Sequence, residues 1–173
     1  RALGRLDGAE AELDLVLFLG LDAIDLLAAE GQFEVRARAD RAHVAAEAQA
    51  WLTPCQCSPY HQHTALYPLI DLLERVALRF DREESPQQKV GKLEGFLVQY
   101  GLPLAVAVPL LAAVLSLPLP ADYAPLAESS EQQKQRTLQT FLTLLGRLAA
   151  QQPLLFVMED LHWADPTTLD LLS

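Results

Sequence analysis

Lysine is scarce in this sequence. Only Lys89, Lys92 and Lys134 occur, and 13 lysines and arginines face 23 acids, for a formal net charge of -10. Phosphate contacts to nucleic acid or to an anionic membrane need a basic face, and the few scattered cations supply none, so neither partner is expected. Cysteine is rarer still: Cys55 and Cys57 stand one residue apart on a segment that reads as extended, and no disulfide is expected between them. No apolar run reaches the ~18 residues that span a bilayer, and no basic, apolar and small-residue order at the start marks a secretion signal. The cytoplasm is the expected location. The chain opens on Arg1 rather than Met and stops at Ser173 inside a helical pattern, so a fragment of something longer is expected.

What the sequence does have is apolar content, 51% of 173 residues. A chain of this size buries roughly 70% of its unfolded surface and folds without disulfides or metal, which excludes disorder as its main state. Composition and pattern shift near Ala50, dividing an atypical, mainly helical segment 1–50 from residues 51–173. In the first segment Leu13, Val16, Leu17, Ile24 and Leu27 favour a helix stopped by Gly31, although Leu15 to Leu19 equally suits a short buried strand. Arg36 to Ala50 reads as a second helix.

From Trp51 the signals sharpen. Trp51 to Gln56 reads as extended, ended by the turn residues Ser58-Pro59-Tyr60. Thr64 is placed to cap a helix striped by Leu66, Leu69, Ile70, Leu73 and Val76, and Ser85-Pro86 starts another that ends at Gly101-Leu102-Pro103. Leu104 to Leu115 is an apolar helix containing Pro109. Ser129 or Ser130 caps a long amphipathic helix through Leu138, Phe141 and Leu145 that ends near Gln151-Gln152. Pro153 to Met158 is then a continuous apolar run, the pattern of a strand buried on both faces inside a helix-covered parallel sheet. The alternation implies an α/β layer fold.

Chemistry concentrates where that strand ends. Two adjacent acids, Glu159 and Asp160, at the carboxyl end of a buried strand form the layout that presents carboxylates to a magnesium nucleotide, because ligands of open α/β sheets sit at that edge. Mg²⁺ keeps most of its waters and needs few carboxylates, leaving the second acid to orient an attacking water. The plainer alternative is the solvated end of a strand. Asp165 before Pro166 suits the cap of a helix from Pro166 to Leu172, and His162 and Trp163 suit packing of the intervening turn.

The run Glu159-Asp160-Leu161-His162-Trp163-Ala164-Asp165-Pro166 resembles the Walker B region of the AAA-type, signal-transducing P-loop ATPase modules of multidomain bacterial signalling proteins, often fused to class III adenylate or guanylate cyclase domains or to protein kinase domains. The resemblance extends over Cys57-Ser58-Pro59-Tyr60-His61-Gln62, Ala65-Leu66-Tyr67-Pro68, Glu84-Ser85-Pro86, Val108-Pro109-Leu110-Leu111, Leu117-Pro118-Leu119-Pro120 and the helix Glu131 to Leu145. It implies a P-loop NTPase-like parallel sheet covered by helices, helix-rich and incomplete here, with ATP and Mg²⁺ as cofactors. Glu159 is implied as the magnesium-binding residue and Asp160 as the water-orienting, catalytic one; the family's usual order is Asp then Glu, reversed here. The implied partners are ATP and attached output domains of the same polypeptide.

Such modules also carry a phosphate cradle, G-x-x-x-x-G-K-[ST], and this sequence has none. Gly91-Lys92 is followed by Leu93, and Leu21-Asp22-Ala23-Ile24-Asp25 after Gly20 offers carboxylates where phosphate belongs. Weak ATP binding and no ATPase activity of the isolated fragment follow, with hydrolysis belonging to the intact parent; a non-hydrolysing scaffold or interaction domain is the rival function. Degeneration, truncation and a frameshift ahead of Ala42 each account for the loss. The frameshift draws on Gly31 to Val35, which one base out of register permits an end like that of a phosphate loop.

Three other groupings each carry rival readings. Cys55 and Cys57 with His61 and His63 offer four zinc-type ligands at an unusual spacing, against core cysteines beside turn histidines. Lys134 and Arg136 either reach a phosphate or line a solvated helix face. Ser58 and His61 lack a triad-like acid.

Overall fold

A computed structural model of the chain describes residues 15–19, 46, 49 and 51–172. The expectations for the stop at Gly31, the helix from Arg36 and the altered frame ahead of Ala42 fall almost wholly outside the described residues. The described part of the front, Leu15–Leu19, is a strand, β1. It replaces the helix favoured there. Five consecutive apolar residues fit either period, and pairing along their whole length with another strand decides the matter.

Trp51–Gln56 forms β2 and Leu154–Glu159 forms β3. Among the described residues the sheet runs β1-β3-β2. β2 lies parallel to β3, with Trp51 opposite Leu154 and Gln56 opposite Glu159. β1 is antiparallel to β3, with Leu15 opposite Met158. The expected parallel pairing is present between β2 and β3, and β1 adds an antiparallel neighbour, so the described sheet is mixed. An apolar run reports burial and not direction, since a central strand offers N–H and C=O groups along both edges and accepts neighbours of either sense. Pro54, which has no N–H to donate, is exposed on β2, one of the two outer strands of the described sheet.

The α-helices that follow β2 arise from local signals of unequal strength. Tyr67–Leu72 is α1, continued by a π-helical turn over Leu73–Ala77. Pro86–Gln99 is α2, Leu104–Val114 is α3, Ser130–Ala149 is α4 and Pro166–Leu171 is α5. Ser85 and Gln88 close a reciprocal capping box at the start of α2, and Ser129, rather than Ser130, does the same with Gln132 for α4. α2 ends where Gly101 takes φ 67 and the Leu102 N–H donates back to the Leu97 carbonyl at 2.9 Å. Thr64 does not cap α1. That helix starts from Leu66, a left-handed residue with φ 60 whose side chain makes no cap bond.

The helices pack on one face of β3. Leu93 and Leu97 from α2, Val108 and Leu111 from α3, and Phe141 and Leu144 from α4 form one cluster with Leu154, Phe156 and Met158. Leu155 and Val157 point to the opposite face and are buried too. Burial on both faces is what the unbroken run Leu154 to Met158 predicted. No described helix is long and apolar enough to cross a membrane. The parallel register brings the carboxyl ends of β2 and β3 side by side, and the polar residues collect there.

Candidate functional site

The site is the edge where β2 and β3 both stop. The Cys57 N–H donates to the Glu159 carbonyl at 3.0 Å, extending the ladder one step past the register pair Gln56 and Glu159. Glu159 is half-buried. Asp160 then turns the chain sharply: it adopts φ 57 and ψ 42 and opens a 3-10 turn over Leu161–Trp163. The Trp163 N–H returns to the Asp160 carbonyl at 2.8 Å, which closes the turn beneath the carboxylate. Aspartate is among the few non-glycine residues that tolerate this left-handed region.

Across the edge, the Gln56 side-chain amide donates to Asp160 Oδ2 at 3.3 Å. A cavity of about 340 Å³ opens beside this pair, bounded by Gln56, Cys57, Tyr67, Asp71, Asp160 and Trp163. Arg75 also lines it and is ion-paired with Asp71 one helical turn back. His61 stacks on the lining residue Tyr67 with ring centroids 3.7 Å apart and planes 8° from parallel. Trp163 also lines the cavity and is 36% exposed.

Asp165 lies behind the turn and is only 3% exposed. Its Oδ1 accepts from the backbone N–H groups of Thr167 at 2.9 Å and Thr168 at 3.0 Å, the bonds of an N-cap on α5. Its Oδ2 accepts from the Thr168 hydroxyl at 2.5 Å and from the Leu66 N–H at 3.1 Å. The cap expected from the sequence is present, and the bond to Leu66 is additional.

The two thiols are sequestered. Burial pushes the Cys57 thiol up to about 11, with the Asp165 and Asp160 carboxylates raising it further. Burial, followed by Asp71 and Cys57, carries Cys55 well above the ordinary thiol range. Both cysteines are free and buried, His61 is stacked, and among the described residues no group of three or more His, Cys, Asp or Glu is arranged to hold a metal ion. The Cys-x-Cys and His-x-His ligands do not converge, because the cysteines turn into the core.

Several of the described cations have partners as well. Lys134 pairs with Asp170 at 2.6 Å and Arg136 pairs with Glu128, both partly exposed pairs in keeping with a solvated helix face. Lys92 pairs with Glu84 and donates to the Arg79 carbonyl at 3.0 Å, while Lys89 sits 5.3 Å from the centre of the Phe80 ring. Sequence reasoning brought Glu159, Asp160 and Asp165 to this edge but missed Gln56, Tyr67 and Asp71. Gln56 was within reach of it, since setting the two strand ends in parallel register places Gln56 beside Glu159. The contributions of Tyr67 and Asp71 depend on how α1 docks, which carries no local signature.

A family model described as an AAA ATPase domain matches residues 34–173. No curated protein matches the chain, and no solved structure does.

Proposed function

The chain belongs to the AAA ATPase domain family, and from that premise we propose that it is part of an ATP-binding regulatory module in a multidomain bacterial signalling protein, controlling attached output domains. In this reading β3 is the Walker B strand, Glu159 helps hold Mg²⁺ and Asp160 orients the attacking water. The observation that carries it is the pair of adjacent carboxylates ending a fully buried strand, beside a cavity and with Asp160 held by Gln56. His162, Trp163 and Asp165 serve the turn that presents them.

The donor set fits magnesium. Glu159 and Asp160 are both half-buried at an open edge, and Mg²⁺ takes one or two carboxylates with waters and phosphate oxygens completing its shell. Bound there, the ion would supply charge neutralisation to phosphate oxygens. The residues of this chain do not fit the triphosphate itself. The sequence has no phosphate cradle, and each of its three lysines is engaged by another group, Glu84, Asp170 or the Phe80 ring. Loss of two charge-assisted phosphate bonds, at about 1.5 kcal/mol each, weakens binding by about 100-fold or more. This chain thus supplies the acidic half of a nucleotide site, and hydrolysis belongs to a form that also carries a cradle.

The same deficit favours a second reading, a non-hydrolysing scaffold that keeps the fold without the nucleotide. Thermal melting with and without millimolar Mg-ATP separates the two, because a ligand that binds only the folded state raises the melting temperature. The module reading expects a small rise for this chain, abolished by Glu159→Gln, and a large one for a version carrying a phosphate loop ahead of Ala42. No rise in the loop-bearing version favours the scaffold. The genomic DNA decides where that loop went: a shifted frame between Gly20 and Ala42 that encodes no cradle ends the frameshift account.

A further inference from the structure

We propose that Asp165 is the positioning residue of this edge, a single buried carboxylate that ties the α1 wall of the cavity to the Asp160 turn. It divides its acceptors between two segments that sequence separates by 99 residues. Oδ1 serves α5, through Thr167 and Thr168. Oδ2 reaches across to Leu66 and also takes the Thr168 hydroxyl. A carboxylate in ordinary N-cap service needs only the first set.

The Leu66 bond matters because of where Leu66 stands. Its φ of 60 lies in the region that leucine rarely adopts, and it is 3% exposed. Such a conformation persists only where its surroundings over-determine it. Leu66 in turn launches α1: its carbonyl accepts from the Leu69 N–H at 3.0 Å and the Ile70 N–H at 2.9 Å. The next residue, Tyr67, carries the stack with His61, and Asp71 follows one turn later. On the other side, Asp165 stands five positions after Asp160, with the closed 3-10 turn between them. Asp160 lines the cavity and left-handed Leu66 immediately precedes Tyr67, which lines it too, so Asp165 fixes the start of one lining segment against the turn that carries the other. The consequence for catalysis rests on the proposed role of Asp160 as the water-orienting acid; the mechanical coupling does not.

Backbone amide exchange followed by NMR on the unmodified chain and two variants tests the coupling. Asp165→Asn keeps an oxygen for Thr167 and Thr168 but turns an amide N–H toward the Leu66 N–H. Asp165→Ser is a good N-cap and too short to span to Leu66. In both variants the Leu66 amide is expected to exchange at least about tenfold faster while Thr167 and Thr168 stay within about twofold of the parent, and the Gln56 side-chain amide resonances shift as Asp160 moves. Unchanged Leu66 exchange and unmoved Gln56 resonances in a folded variant would show Asp165 to be a local cap and overturn the proposal. Should neither variant fold, the unmodified chain still decides: Leu66 is expected to be protected to within about tenfold of Thr168, and a Leu66 amide exchanging like an exposed loop refutes the tie. Absence of any Mg-ATP response in a loop-bearing chain whose Leu66 exchange follows the prediction would sink the nucleotide reading and leave the coupling standing.

Discussion

The helices α2 and α4 begin on their own chemistry, whereas α1 begins on a carboxylate supplied from the far end of the chain. Ser85 with Gln88, and Ser129 with Gln132, satisfy each other's backbone groups within four residues. Leu66 has no such neighbour and depends on Asp165. The difference separates a framework of self-starting helices from an edge whose parts hold each other. Damage to a self-starting helix stays local. Damage at the edge spreads to every wall of the cavity.

The largest effect is expected from the strand that both regions share. Phe156 is buried in β3 within the cluster that joins the sheet to α2, α3 and α4. Phe156→Ala should cost about 3–5 kcal/mol in chemical denaturation, the range for emptying an aromatic site in a packed core. Asp165→Ala comes next, at about 2–4 kcal/mol, since it removes a cap worth ~1 kcal/mol and leaves the Leu66 N–H without its partner in a buried setting. Ser85→Ala and Ser129→Ala should each cost about 1 kcal/mol, and the double variant their sum, because the two boxes share no partner. If Asp165→Ala costs no more than the serine variants, the distinction between the two regions collapses.

The same distinction explains what could be read from the residues alone. Ser85-Pro86, the Gly101 stop and the Asp165-Pro166 start all announce themselves, because each structural consequence is closed within a few positions. The buried strand Leu154 to Met158 announces itself through an unbroken apolar run. The direction of β1 did not, since its five apolar residues carry neither a period nor a sense. Nor did the start of α1: Thr64 has the right chemistry for a cap, yet the helix starts from left-handed Leu66, whose N–H is held by Asp165, 99 residues further on. At the edge, the acids were legible from their place after a buried strand. Their hydrogen-bonding partner Gln56 required the strand register, and Tyr67 and Asp71 required the docking of a helix.

Titration offers smaller tests. Glu84 is held below its ordinary value chiefly by its hydrogen bond to Lys92. Its contribution is present above the unfolded carboxyl value and is lost as pH falls through the folded one, so Lys92→Met should flatten the acid limb of the stability profile slightly. Lys134 is raised chiefly by its bond to Asp170, and its contribution is lost as pH rises through the folded value. Both pairs sit at the surface, away from the cavity, and neither change should alter Leu66 exchange.

Cys57 provides the finest comparison, because it lies at the edge and feels two of its acids, Asp165 and Asp160. Burial raises its thiol to about 11, and Asp165 and Asp160 raise it further in that order. A raised thiol keeps its proton in the folded state, so its contribution is full below the unfolded value near 8.5 and is lost as pH climbs toward about 11. At pH 8 the native thiol should therefore react with iodoacetamide about 100-fold more slowly than in denaturant, since only the thiolate attacks. Asp165→Asn removes one of the charges that oppose the thiolate and loosens the wall beside it, so native-state labelling should accelerate by several-fold. Ser129→Ala touches neither the charge nor the wall and should leave the rate unchanged. Equal acceleration in the two variants would mean that labelling reports general loosening of the fold, and that the edge is no more interdependent than the helices around it.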